Sequence, residues 1–300
     1  MANFDASAAV TMVWQRQGVW SQAAEAEKRR VVRARRTVAG LTIGAAVAGS
    51  LATQLGDPHR TVSRCLAILA AAALLLVPVA ARWTSRDSVH AWTRLRSVSE
   101  ALKADVHCYL AGAAPFGGAD RDQVLLRRAD TLLDDAGDLI GRTVGVAPVD
   151  RPLPDIRDVP SYLAGRVRRQ VAGYYAPMAQ RTARLAARVR YAATAVTVAS
   201  ALLAATVGVL GDGLGLTAWL GVAATVTTAL VGYAAAQQYE HQQIEYARTG
   251  DQLTRLCLTR ESGHGWTDDD AFVAEAERII SLSNEGWMAK MIEEDGAAQQ

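Results

Sequence analysis

The sequence predicts an all-α membrane protein with four transmembrane helices, built as two helical hairpins with long cytosolic helices. Three observations predict it. Four apolar segments without interior charge, about Thr37–Leu55, Arg64–Ala81, Ala192–Leu210 and Leu214–Ala236, each approach the roughly 20 helical residues that a bilayer core requires. They come in two pairs, each joined by a short polar turn. Each pair is entered from an Arg-rich helix and left by a long polar one. No alternating pattern is long enough to propose a strand.

The elements follow in order. Residues about 6–36 read as helix, with Val10, Val13, Trp14, Val31 and Val32 at helix-like spacings, and end in Lys28-Arg29-Arg30 and Arg33, Arg35, Arg36. The first span follows directly and Gly56-Asp57-Pro58-His59 breaks it. The second span carries Pro78 near its exit, a place for a kink. From Arg82 to about Ala113, Trp92, Leu95, Val98, Leu102, Val106 and Tyr109 form one apolar stripe, and Gly117-Gly118 closes that helix. Asp120–Arg142 reads as another amphipathic helix. Residues 147–160 hold four prolines, which remove backbone donors and fix φ; this stretch reads as a linker between units 1–146 and 161–300. A basic helix, about Ser161–Tyr191, feeds the third span, and Gly211-Asp212-Gly213 turns the chain into the fourth. A polar helix, about Gln237–Arg260, has Ile244, Leu253, Leu256 and Cys257 on its apolar side. Thr267-Asp-Asp-Asp270 reads as a helix start, with Thr267 as the cap. A helix about Ala271–Ser281 and a short one near Trp287–Ile292 follow.

The halves repeat one another. Gly56-Asp57 corresponds to Gly211-Asp212, and His90, Glu100 and Leu102 correspond to His241, Asp251 and Leu253. Charge sets the expected orientation. Lys28, Arg29, Arg30, Arg33, Arg35 and Arg36 precede the first hairpin, and Arg184, Arg188 and Arg190 precede the second. Basic flanks stay in the cytosol, so the chain is expected to be a multi-pass protein of the inner membrane with both termini cytoplasmic. The same cations are candidates for topological anchoring and for contact with lipid headgroups.

Small residues recur along the spans. Gly40, Gly44, Ala48 and Ala52 form a ladder on the first, Ala193, Thr197, Ala201 and Ala205 on the third, and Gly221 and Thr225 begin one on the fourth. In lipid, such ladders let backbones approach. They are the expected span-packing residues, and a homo-oligomer is the expected assembly. Thr and Ser in the spans have two readings: a weakly polar lumen, or hydroxyls bonded back to their own helix.

The sequence nominates no catalytic, cofactor-binding or metal-binding residue, and no enzyme is expected. Cys65, Cys108 and Cys257 form no C-x-x-C pair, and the five histidines are scattered without a ligand spacing. Asp134, Asp135 and Asp138 lie amid arginines on one helix and read as a solvated charged face. Gly211-x-Gly213-x-Gly215 lies between spans with no preceding strand, a context that defeats a dinucleotide loop. The Lys28–Arg36 cluster reads as a lipid-side anchor rather than a nucleic-acid surface.

This order of parts (Arg-rich helix, two-span hairpin, then a helix with a histidine start and an acidic residue about ten positions on) resembles the SLATT family, two-span domains associated with SMODS and SLOG domains. Two such units stand in tandem, about Ser21–Leu110 and Ser161–Arg260. The resemblance implies a membrane effector of prokaryotic conflict systems, forming pores or perturbing the membrane when a nucleotide signal is sensed. It also implies a separate cytosolic nucleotide-sensing partner. The alternatives are a membrane scaffold organising a cytosolic complex, or a small-solute transporter. The absence of ionisable residues within the spans argues against the last.

Overall fold

The computed structural model describes residues 7–55, 59–211, 215–237, 239–263 and 265–282. The expected turns at Gly56-Asp57 and Asp212-Gly213, His264 and the short helix near Trp287–Ile292 lie outside the described residues. Helix dominates the described residues, and none of them is in a strand.

The chain opens with α1, Ala8–Gln54, a single helix of 47 residues. The amphipathic segment and the first span fuse because no Pro lies between them and the Arg-rich junction is itself helix-favouring. After α2, Arg60–Ala81, and a 3-10 turn at Arg82–Thr84, Ser85 takes extended backbone (ψ 158°) before α3, Arg86–Ala111. Gly112 ends α3, rather than Gly117-Gly118. Its φ of 69° is the left-handed conformation of a helix C-terminus, and the Ala113 N–H reaches back to the Cys108 carbonyl at 3.1 Å, as a Schellman ending requires.

The expected helix 120–142 divides into α4, Arg121–Asp134, and a 3-10 segment, Gly137–Arg142; backbone at Ala136 leaves helical geometry with φ −108°. A capping box starts α5, Val159–Tyr162: the Asp158 carboxylate accepts the Ser161 N–H at 2.8 Å, and Ser161 Oγ accepts the Asp158 N–H at 3.1 Å. Pro160 is harmless in that first turn, where no intrahelical donor is needed. Two π-helical stretches, Leu163–Arg168 and Val171–Tyr175, lead into α6, Ala176–Leu210. Then come α7, Thr217–Gln237, α8, Tyr239–Glu261, and α9, residues 269–282. Asp268, not Thr267, caps α9, its carboxylate accepting the Asp270 N–H at 3.0 Å.

The chain packs as two units. A polar unit comprises residues up to Lys28, Arg86–Arg181 and Gln242 onward; a span unit comprises Arg29–Ser85 and Thr182–His241. Each sequence half gives a hairpin to the span unit and polar helices to the polar unit. Within the polar unit the α3 stripe is buried as its period predicts, with Leu95, Leu102 and Val106 fully inaccessible. Gln17 on α1 donates to Ser99 on α3 at 2.9 Å. Arg128 on α4 grips Asp105 on α3 through two nitrogens at 3.0–3.1 Å.

The proline-rich segment packs on α1. Trp14 donates its indole N–H to the Pro152 carbonyl at 3.1 Å, the Arg151 guanidinium lies 3.6 Å from the Trp14 ring centre, and Gln22 donates to the Ala147 carbonyl at 2.8 Å. Prolines cannot donate, but their carbonyls accept, so side chains of a neighbouring helix supply the missing bonds. On α8 the apolar side begins near Thr249; Leu253, Leu256 and Cys257 are buried, whereas Ile244 is exposed.

Candidate membrane site

Four helices, α1, the α2 and α6 segments, and α7 with its continuation, are long and apolar enough to cross a bilayer. The chain is a multi-pass membrane protein. In the span unit α1 and α7 run antiparallel along their membrane lengths. Arg36 Nε donates to the Tyr233 hydroxyl at 3.3 Å, Ser50 Oγ to the Ala218 carbonyl at 3.3 Å, and Gln54 Nε2 to the Gly215 carbonyl at 2.8 Å. The two hairpins therefore pack together through one helix of each. Polar side chains at both ends and one hydroxyl between them pin the register, a use of interhelical hydrogen bonds that lipid favours.

The flanking spans each show one seam. On α2 the least exposed positions are Ser63, Leu66, Ala70, Ala73, Val77 and Ala80. On α6 they are Ala193, Val196, Ser200, Leu203 and Val207. Both run at steps of three and four, the pattern of helices crossing at a shallow angle. Other faces carry bare apolar side chains: Ile68, Leu69 and Leu75 on α2, and Leu202, Val209 and Leu210 on α6 are all exposed. Exposure of this kind matches a lipid-facing wall rather than a water-facing one.

The expected packing residues separate accordingly. Ala48 and Ala52 are buried; Ala48, with Ala45, meets Ala70, and Leu66 and Ala73 pack against this group. Ser63 Oγ donates to the Ala52 carbonyl at 2.7 Å across the same hairpin. A methyl group added at Gly40, Gly44 or Gly221 would meet nothing within 4 Å, so these glycines take no part in packing inside the chain. Of the ladder on α6 only Ala193 lies in the seam. The hydroxyls of Thr42, Thr197, Ser200, Thr206, Thr225 and Thr227 bond to the carbonyl four residues back at 2.7–3.0 Å, and Thr53 to that of Ser50. Within the chain these hydroxyls satisfy themselves.

The basic residues expected as anchors sit at one end of the spans, while Arg60 and Arg64 open α2 at the other. Arg29, Arg30, Arg33 and Arg36 are exposed, as are Arg184, Arg188 and Arg190, whereas Arg35 is buried. Arg30 covers the Trp83 ring at 4.9 Å, and Arg190 pairs with Glu240 at 3.2 Å. Lys28, in the polar unit, lies 5.8 Å from the Trp92 ring, and burial pulls its ammonium below the ordinary lysine range. Beside the arginine end of the span unit is a cavity of about 520 Å³, bounded by α1 from Arg35 to Thr42, by α7 from Ala224 to Tyr233, and by Ala81 and Thr84 at the exit of α2.

The polar unit holds a second arrangement that the sequence did not flag. Arg166, on the first π-helical stretch, donates to both oxygens of Glu277 on α9, at 3.0 and 2.8 Å, and to Gln170 at 2.8 Å. Tyr162 donates to the same carboxylate at 2.9 Å. Burial alone raises the Glu277 carboxyl, but the charge and hydrogen bonds of Arg166 outweigh it and hold the group down to about 2. Burial and the Arg166 charge together push His107 down to about 3, so its ring is neutral, with Nδ1–H donating to the Lys103 carbonyl at 2.6 Å. The signal for Glu277 was present in the letters: a lone carboxylate on the stripe of Phe272, Val273, Ala276, Ile279 and Ile280, all buried.

The paired positions of the two halves agree in packing more than in charge. Leu102 and Leu253 are both fully buried. Glu100 is nearly buried beside Lys103 and Arg96, whereas Asp251 pairs with Arg255 in the open. The aspartates 134, 135 and 138 do not converge on a ligand site; Asp138 takes the Arg94 guanidinium at 2.5 and 2.9 Å. Among the described residues no group of three or more His, Cys, Asp and Glu could hold a metal ion.

Residues 162–287 match the family model SLATT_1, the SMODS and SLOG-associating 2TM effector domain 1. The second half of the chain is similar to the SLATT domain. Residues 18–123 match a different model, DUF4231, a protein family of unknown function, so the expected second SLATT copy is matched by another family model. The SLATT match takes in α6, α7, the Arg166 region and α9, and therefore includes both sides of the Arg166–Glu277 pair. No curated protein and no solved structure matches the chain.

Proposed function

We propose that this protein is a membrane effector that acts without catalysis: its spans associate with those of neighbouring copies and breach the inner membrane, and the polar unit receives the controlling signal from a cytosolic partner. The SLATT match carries the reading, since that family is described as a two-span effector domain. The span unit supports it. Gly40, Gly44 and Gly221 are open, and the apolar window of the third span has no buried residue, so small-residue faces remain for contacts outside the chain. The arginine end of the hairpins lies in the cytosol under the positive-inside rule, and the two span-joining turns lie outside. A lumen in this reading is formed between copies, because within one chain the hydroxyls of Thr42, Thr197, Ser200, Thr206, Thr225 and Thr227 bond back to their own helices and those of Ser50 and Ser63 to a neighbouring helix.

Purified protein in planar bilayers tests the proposal. Discrete conductance steps, together with dye entry into expressing cells, are the expected result. Full membrane insertion at high level with no conductance and unchanged dye exclusion would overturn it; stable co-purification of a cytosolic complex without leak would favour the scaffold reading instead.

A further inference from the structure

We infer that the cavity between α1, the exit of α2 and α7 is a binding site for one anionic phospholipid, its phosphate at the arginine end and an acyl chain running inward along α7. The inference rests on the membrane embedding of the spans and not on the effector reading.

The cavity has the depth and polarity of a lipid. Its walls cover residues 35–42 of α1 and 224–233 of α7, lengths of about 10 and 14 Å at 1.5 Å per residue. A hydrocarbon core of about 30 Å gives each leaflet about half that, so a cavity starting at the arginines reaches nearly to mid-membrane. Its volume of about 520 Å³ lies within the roughly 300–1,000 Å³ of small-ligand sites. The inner wall is apolar in effect: Ala224 has no polar side-chain atom, and the Thr42 hydroxyl is already bonded to the Val38 carbonyl at 2.9 Å.

The outer end is built for an anion. Arg35 lines the cavity and Arg36 stands next to it, using one N–H on the Tyr233 hydroxyl at 3.3 Å. A guanidinium has five donors in a fork that fits phosphate oxygens. Tyr233, accepting from Arg36, keeps its own O–H to donate. By sequence the carboxylates of the span unit are Asp57, between α1 and α2, Asp212, between α6 and α7, and Glu240; Glu240 pairs with Arg190. A zwitterionic lipid brings its own cation to this rim, and a water-soluble phosphate ester has no tail for the apolar wall. Charge and depth together select an anionic phospholipid, as expected of basic recesses between membrane helices.

The test uses the full chain, delipidated in neutral detergent and followed by native mass spectrometry while phosphatidylglycerol, phosphatidylcholine or glycerol 3-phosphate is added. Phosphatidylglycerol is expected to bind at one molecule per chain, at least about tenfold tighter than phosphatidylcholine, the scale of one charge-assisted hydrogen bond. Arg36→Gln, on an exposed side chain, and Thr228→Trp, which fills the cavity, are each expected to weaken it about tenfold with helical circular dichroism unchanged. Equal binding of the two lipids, displacement of lipid by glycerol 3-phosphate at equal concentration, or wild-type binding by both variants would overturn the site. Conductance measured in pure phosphatidylcholine bilayers reports on the effector reading alone, so the two proposals fail separately.

Discussion

Replacing Glu277 by Ala strips the Arg166 guanidinium, whose side chain is 2% exposed, of its bidentate partner and leaves the Tyr162 hydroxyl without its acceptor. Gln170 still accepts one Arg166 N–H, so the charge is not wholly unsolvated. Breaking a buried pair from one side costs about 3–5 kcal/mol. Because the pair joins α9 to the π-helical stretch at Leu163–Arg168, the loss falls on α9 docking first. Hydrogen exchange of the full-length protein in micelles reads it directly: at about 1.4 kcal/mol per decade, amides of residues 272–280 lose about 100- to 4,000-fold of their protection. The double variant Arg166→Met, Glu277→Leu removes both charges and is expected to recover most of the protection, since apolar replacement of a buried pair is often neutral or stabilising. Exchange within twofold of wild type in Glu277→Ala, or a double variant as labile as the single one, would refute the argument that burial makes this pair cost so much to break.

Acid weakens the polar unit in two windows. His107 has a folded value of about 3 against an ordinary 6.5, so below about pH 6.5 the unfolded chain takes a proton the fold refuses, and stability falls with pH; His107→Gln is expected to flatten a urea-melt profile between about pH 6 and 4.5. Glu277, held near 2 against an ordinary 4.5, contributes fully above about pH 4.5 and loses that contribution as pH falls toward 2, a further decline that His107→Gln leaves in place. Ala48→Leu overpacks the α1–α2 contact and is expected to cost about 1–3 kcal/mol in a thermal or steric-trap measurement, whereas Gly44→Ile meets open space and leaves monomer stability within about 0.5 kcal/mol. Any effect of Gly44→Ile on conductance then reports contact between copies. Asp158→Ala removes the capping box and is expected to destabilise the start of α5 by about 1 kcal/mol, seen as faster exchange in residues 159–163.

Hydrophobic runs and charge placement made the four spans legible, because lipid imposes a length and an absence of charge that few soluble segments meet. The apolar stripe of α3 was equally readable. Partner choice was not. Four-residue ladders describe a helix by itself, and Gly40 and Gly44 fall on the ladder yet face away from their neighbours, while Ser50, Gln54 and Arg36 join α1 to α7 through single polar atoms that no periodicity marks. The proline-rich segment shows why composition misleads about packing: lack of donors excludes helix but leaves carbonyls that Trp14 and Gln22 use. Glu277 escaped notice because its partner lies more than one hundred residues away, on a stretch whose arginines look uniform in sequence.

Orientation is the point on which the membrane account turns, and cysteine accessibility measures it. In a background with Cys65, Cys108 and Cys257 replaced, single cysteines at His59, Leu216 and Asp130 are treated with a membrane-impermeant maleimide on intact spheroplasts and again after lysis. Labelling is expected at positions 59 and 216 before lysis and at position 130 only after it. Labelling of position 130 from outside, or opposite behaviour at 59 and 216, would contradict paired hairpins whose arginine ends face the cytosol.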